Sequence, residues 1–303
     1  MKVFITGGTG LIGKLLVKRL LERGDDVIVL TRNAEKARKF FVDKVVVVEG
    51  NPSEPGEWQK EISGTDAIIN LAGEPVTKKR WNDKEKKRIY DSRINAANSV
   101  VQGIKNAEIK PKVLINASAV GYYGFQKDER EINENETSGR DFLAKLCVEW
   151  EDAARIAEKD GIRVVRLRIG IVFAENGGAL SKMVTPFKLY AGGPIGNGKQ
   201  WLPWIHIDDI IGLILFSLDN EVSGVFNATA PNPVKMKSFA ETMGKITHRP
   251  SWLPVPSITL KATLGEVADV ITSGQRAIPQ RALEKGYEFE FPDLEGALKN
   301  LLG

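Results

Sequence analysis

Three glycines spaced three apart, Gly7, Gly10 and Gly13, follow directly on the apolar run Val3-Phe4-Ile5 of this 303-residue chain. Leu15-Leu16-Val17 and Leu20-Leu21 then recur at helical spacing. A strand, a tight glycine turn and a helix aim backbone N–H groups and the positive helix end at one point, where a pyrophosphate can sit. Gly7 permits the turn, Gly10 lets the backbone approach phosphates, and Gly13 lets the helix pack close to the strand. Thr9, Leu11 and Ile12 complete the loop and the first helical turn. The next apolar run, Val27-Ile28-Val29-Leu30, ends in Thr31-Arg32-Asn33. A carboxylate there would bond the ribose hydroxyls of NAD. A guanidinium instead offers a fork of donors to the 2′-phosphate of NADP, so these residues point to NADP(H).

Other candidates lie further along. Asn70-Leu71-Ala72-Gly73 closes an apolar run with small residues that let a flat ligand pass close to the backbone. Arg93 can reach cofactor phosphate or substrate, or make a surface ion pair. Ser118, followed by Tyr122 and Tyr123 in a Gly-flanked turn, offers hydroxyl donors to a substrate carbonyl. Trp201, Trp204, Gln275 and Arg276 can line a substrate cleft, with Arg276 suited to an anionic group.

These residues need a scaffold. Val45 to Val48, Ala67 to Leu71, Val113 to Asn116 and Arg163 to Leu167 read as further strands, with helices around 83–106 and 140–159. Continuous Val/Ile runs alternating with helices predict α/β architecture: a Rossmann-type doubly wound parallel sheet, its strands covered on both faces. Past residue 170 the pattern changes to Gly- and Pro-rich sequence, then to an apolar helix at 208–218 and helices near 236–246, 257–270 and 293–302. The expected division is a dinucleotide-binding domain of 1–170 plus 205–225 and a smaller C-terminal substrate domain of 171–204 plus 226–303. A cleft at the carboxyl ends of the strands would lie between them.

Composition narrows the partners. Hydrophobic content of 42%, charge of 27% and a net charge of +4 describe an ordinary globular protein without like-charge runs for nucleic acid. The basic stretch Lys78-Lys79-Arg80 reads as a solvated face. Cys147 is the single cysteine, which excludes an internal disulfide, and two histidines argue against a metal centre. The N-terminus starts on a strand and no apolar run reaches membrane-spanning length, so a cytoplasmic location is expected, with a small-molecule substrate.

The glycine turn, Asn70-Leu71-Ala72-Gly73, Ser118 and Trp204-Ile205-His206-Ile207-Asp208-Asp209 together resemble the extended (atypical) short-chain dehydrogenase/reductases. Arg80-Trp81, Ser92-Arg93, Gly177-Gly178-Ala179-Leu180, the stretch Gly192 to Gly198 and Gln275-Arg276 are similar to the subgroup named epimerase family proteins. That subgroup resembles NAD-dependent epimerase/dehydratases and carries a C-terminal region of unknown function. The resemblance implies bound NADP(H), a hydroxyl or carbonyl substrate such as a nucleotide sugar, and a homodimer built through a helix pair. It also implies a nicotinamide near Val172 and a structural role for His206. Such enzymes use a serine with Tyr-x-x-x-Lys. In the expected register this chain has Asp141-x-x-x-Lys145: the lysine would hold the nicotinamide ribose, while an aspartate beside it would stay ionised and be a poor proton donor. Proton transfer would then fall to Tyr122 or Tyr123. The literal spacing Tyr123-x-x-x-Lys127 lies too close to Ser118 to serve. A non-catalytic cofactor sensor is the alternative that Asp141 favours.

Overall fold

The computed structural model describes residues 1–41, 44–126 and 129–303. Strands and helices alternate through the first half: β1 (Lys2–Thr6), α1 (Leu11–Glu22), β2 (Asp26–Thr31), α2 (Ala34–Arg38), β3 (Val45–Glu49), β4 (Ala67–Asn70), α3 (Asp83–Asn106), β5 (Val113–Ala119), α4 (Phe142–Arg155) and β6 (Arg163–Ile169). Short elements follow: β7 (Ile171–Phe173), α5 (Gly178–Lys188), β8 (Trp201–Leu202) and β9 (Trp204–His206). Then come α6 (Ile207–Asp219), β10 (Gly224–Ala228), β11 (Val234–Lys235), α7 (Met236–Thr247), α8 (Ser257–Leu264), α9 (Val267–Thr272), α10 (Gln280–Glu284) and α11 (Leu294–Leu302).

Seven strands form one parallel sheet in the order β10-β6-β5-β4-β1-β2-β3. Central strands are buried on both faces, as their unbroken Val/Ile runs require, whereas the edge strand β3 is half-exposed. Strand order reverses between β1 and β4, and in a doubly wound sheet the ligand crevice opens at that switch. The fold is therefore the Rossmann type expected.

The second half departs from the expected division. The boundary at 225/226 falls inside β10, which pairs with β6 from Gly224↔Val165 to Ala228↔Ile169. One apolar cluster also runs from Val3 and Ile5 of β1, through Ile210 and Ile214 of α6, to Phe239 of α7 and Leu298 of α11. The helix expected over 257–270 is two helices. Gly265, at φ +61°, breaks it, and a Cβ there would sit 2.7 Å from Arg80 Nε. Among the described residues no helix is long and apolar enough to cross a membrane.

Asp209, buried in α6, fixes the returning chain. Its Oδ1 accepts from Glu290 N at 2.7 Å and its Oδ2 from Phe291 N at 3.1 Å. Burial nevertheless pushes its pKa up to about 6. The folded state thus holds this proton more tightly than the unfolded chain does. The stabilising contribution is complete below the unfolded carboxyl value and is lost as pH rises through about 6. Relative to Asp209→Asn, wild type should gain on the order of 1 kcal/mol between pH 7 and pH 4 in urea unfolding. A difference that stays flat across that range would show that Asp209 does not titrate so.

Candidate functional site

At the switch point two chambers adjoin. The first, of about 360 Å³, is bounded by Gly7, Thr9 and Gly10 of the turn, Thr31 and Arg32 after β2, and Leu71, Ala72 and Gly73 after β4. Gly7 is in the left-handed region at φ +71°, and a Cβ there would sit 2.7 Å from the Leu71 carbonyl. A Cβ on Gly13 would sit 2.4 Å from Gly7 O, so this glycine lets α1 start against the turn rather than lining the space. Leu11 and Ile12 do not line it either; they pack on the large apolar cluster. The turn and helix start thus form a backbone cradle of the kind that takes phosphate.

The rim of this chamber is cationic. Arg32 is exposed and its Nη1 lies 3.2 Å from Glu74, which also accepts from Arg88 Nη1 at 2.8 Å. Lys14 and Lys36 join it, and the sequence reading did not single them out. Both were within reach: Lys14 follows Gly13 directly, and Lys36 is the residue whose N–H caps onto Asn33 Oδ1 at 2.8 Å.

The second chamber, of about 210 Å³, lies at the carboxyl ends of β5 and β6. From α4 it receives Leu143, Leu146, Cys147 and Trp150. Here the expected register is corrected. Residues of a helix turn by about 100° each, so Lys145, two residues from both Leu143 and Cys147, points to the far side. It is exposed to solvent. Asp141 is the N-cap: Oδ1 accepts from Ala144 N at 3.0 Å and Oδ2 from Phe125 N at 3.1 Å. Leucine and cysteine occupy, at i and i+4, the helix face turned to the chamber. Burial pushes the Cys147 thiol up to about 12. Lys127 lies outside the described residues.

Arg93 joins the chambers. It lines the second, with its guanidinium 5.2 Å from the Trp150 ring, while a Cβ on Gly73 of the first would meet its Cζ at 3.2 Å. Its Nη1 donates to Ile89 O at 3.1 Å. Burial lowers its pKa, opposed by Cys147 and Glu74.

The expected hydroxyl groups are elsewhere. Ser118 is buried and its Oγ donates to Glu151 Oε1 at 2.7 Å. Arg168 grips Glu151 with Nε at 2.8 Å and Nη2 at 3.0 Å, and its Nη1 donates to Tyr123 Oη at 3.0 Å. Tyr123, fully buried, donates on to Asn227 Oδ1 at 2.6 Å, and burial pushes its pKa up to about 12. Tyr122 lays its ring 3.3 Å from Arg168 Cζ. This network packs behind β5, and none of these three hydroxyl side chains lines either chamber. From the end of β6 onward, Ile169, Gly170 and Ile171 line the second chamber, whereas Val172 lines neither chamber. Trp201 and Arg276 face each other at 4.9 Å, with Arg276 Nη2 2.9 Å from Glu131, outside both chambers. Gln275 lines the second chamber instead and donates to Gly124 O at 2.5 Å. His206 caps α6 by accepting from Asp208 N at 3.1 Å, and Asp208 pairs with Arg19 at 3.0 Å. Among the described residues no group of three His, Cys, Asp or Glu could hold a metal.

Residues 3–229 match the model of the NAD dependent epimerase/dehydratase family. The chain belongs to that family. Residues 255–301 of this family member match a domain of unknown function, DUF1731. Over all of its length it is 44% identical to the Arabidopsis thaliana epimerase family protein SDR39U1 homolog, chloroplastic, covering 87% of that protein. It is 41% identical to epimerase family protein YfhF of Bacillus subtilis, covering 98% of it. The crystal structure of human epimerase family protein SDR39U1 (isoform 2) with NADPH superposes with a TM-score of 0.88 at 33% identity, over 99% of each chain. UDP-glucuronic acid 4-epimerase from Bacillus cereus shares the fold, with a TM-score of 0.82 at 17% identity over 99% of this chain and 97% of that one.

Proposed function

We propose that this chain binds NADP(H) across the first chamber and is an oxidoreductase acting on a small carbonyl or hydroxyl compound. The observation that carries the reading is the cationic rim of Arg32, Lys14 and Lys36 beside the glycine cradle, a set suited to a phosphorylated adenosine end. The full-length likeness to a human protein crystallised with NADPH supports it. Bound there, NADP(H) supplies hydride at its nicotinamide. The protein's part is to hold the cofactor, shield the second chamber with apolar side chains, and present Arg93 to charge on the ligand. Among the described residues lining the second chamber there is neither a tyrosine nor a lysine for proton transfer, so on this reading the proton that follows hydride onto a carbonyl oxygen is drawn from solvent. Lys145→Met should therefore leave NADPH affinity within about twofold of wild type in a fluorescence titration, because the side chain points to water. A loss of tenfold would restore the lysine to the site.

The same titration tests the function. NADPH should bind at least about tenfold more tightly than NADH; equal affinities would overturn the NADP(H) assignment. Mass spectrometry of nucleotide released on denaturation then separates cycles. Retained oxidised cofactor marks an epimerase-like return of hydride to the same substrate, and a freely exchanging one marks a reductase. A cofactor sensor is the second reading, favoured by Leu143 and Cys147 where acid/base groups would be needed. Tight binding of NADPH without oxidation across a panel of small aldehydes and ketones would support the sensor.

A further inference from the structure

We infer that the second chamber is the receptor for a small, otherwise apolar monoanion whose oxyanion is gripped by Arg93, and that it is closed to nucleotide sugars. This rests on the NADP(H) reading above and names the ligand class for the same cleft.

Arg93 is a half-buried cation without a counter-ion among the described residues. Its one hydrogen bond is to the Ile89 carbonyl, and no carboxylate lies within 4 Å of it among the described residues. Glu74, the carboxylate felt most strongly, is already shared by Arg32 and Arg88. A partly desolvated charge gains from a partner, and a guanidinium fork is matched by the two oxygens of a carboxylate or phosphate. The guanidinium lies close against Gly73 on the side of the first chamber and 5.2 Å from the Trp150 ring, and Arg93 lines the second chamber.

Of the chamber's other polar groups, the Trp150 Nε1–H is buried with no acceptor among the described residues and so is a second donor for an oxyanion, while three more are engaged internally. Asp141 accepts two backbone N–H groups, Gln275 donates to Gly124 O, and Ser273 donates to the Asp269 carbonyl. What is left is apolar: Leu143, Leu146, Ile169, Ile171 and Val270. The chamber's volume of about 210 Å³ falls below the roughly 300–1,000 Å³ of pockets for drug-sized ligands. A nucleoside diphosphate joined to a sugar needs more room and more than one cationic contact. A single ring or short chain with one charged end fits both limits.

The same oxyanion chemistry can come from the ligand or from the cofactor's own diphosphate, and the experiment separates them. Benzoate, its uncharged counterpart benzamide, and UDP-glucose are titrated into protein saturated with NADPH, with binding followed by saturation-transfer NMR. Benzoate should bind, benzamide at least about tenfold more weakly, and UDP-glucose not detectably. Arg93→Met should weaken benzoate about tenfold or more while changing NADPH affinity less than about threefold. Arg93→Lys, which keeps the charge and loses the fork, should fall between and guards against misfolding of the methionine variant. Equal binding of benzoate and benzamide, no binding of benzoate, or competitive binding of UDP-glucose would each overturn the proposal. So would an Arg93→Met protein that loses NADPH tenfold and keeps benzoate, which assigns the arginine to the cofactor. Failure of wild type to bind NADPH strikes the cofactor reading alone, because the dependence of benzoate on Arg93 is then read in protein without nucleotide.

Discussion

Replacing Glu151 by alanine should destabilise the protein by about 3–5 kcal/mol, the cost of stranding a buried charge whose partner has been removed. Glu151 and Arg168 each expose only 4% of their side chains and meet through two hydrogen bonds. Without the carboxylate, the guanidinium keeps hydrogen bonds to Tyr123 Oη and, at 3.4 Å, to Glu134 O, together with its ring contacts to Tyr122 and Tyr123. Ser118 loses its acceptor as well. Glu151→Gln, which leaves an acceptor in place, should cost less than the alanine. Ser118→Ala, which removes one neutral donor to a carboxylate, should cost about 1–3 kcal/mol. Urea unfolding checks all three. NADPH affinity of Ser118→Ala at a temperature where it is folded should match wild type, since the hydroxyl faces the network. An unchanged stability for Glu151→Ala would remove the structural role given to this network and return Ser118 to the list of candidate catalytic groups.

The second large effect concerns the cofactor. Arg32→Glu should weaken NADPH binding about 100-fold and NADH binding less than about threefold, because a charge-assisted hydrogen bond to phosphate is lost and a repulsion is added. The cost to the fold should be small. Arg32 is 69% exposed, and Glu74 retains Arg88 when Arg32 leaves. Lys36→Ala should act in the same direction with a smaller loss, as a point charge rather than a fork. Parallel losses for the two nucleotides would mean that Arg32 serves the fold of the rim and not the 2′-phosphate.

The scaffold was legible because its signals are local. Unbroken Val/Ile runs read as strands of a covered sheet, although the run at 45–48 forms the half-exposed edge strand, and three glycines at three-residue spacing after such a run describe a turn with little room for side chains. The cleft was less legible because it depends on phase and on distant partners. Asp141 and Lys145 have the spacing of the reductase pair, yet the helix starts at Phe142 and turns its apolar stripe Leu143, Leu146, Cys147 and Trp150 inward. That stripe, with spacings of three, four and seven, was present in the sequence and would have fixed the register. Ser118 and Tyr123 read as free donors because their partners Glu151, Arg168 and Asn227 lie 33 to 104 residues away. Arg276 lies over the Trp201 ring and pairs with Glu131 instead of facing the chambers, an arrangement across the chain that no local pattern encodes.

The seventh strand has a consequence for how sequence can be exchanged among relatives. A chimera spliced at 225/226 would divide β10 between two parents, and the halves would have to share one ladder against β6. Thr229 and Ala230, just beyond, are tied to Ala277 and Trp204 by hydrogen bonds. The first junction beyond β10 that divides no strand is the turn at Pro231, Asn232 and Pro233, although the Thr229–Ala277 hydrogen bond and the β8–β11 pair would then join the two parents. A graft of the C-terminal portion made there carries Val270 to Gln275, the stretch from which the second chamber draws Val270, Ser273, Gly274 and Gln275, as one piece while the recipient keeps all seven strands of the main sheet.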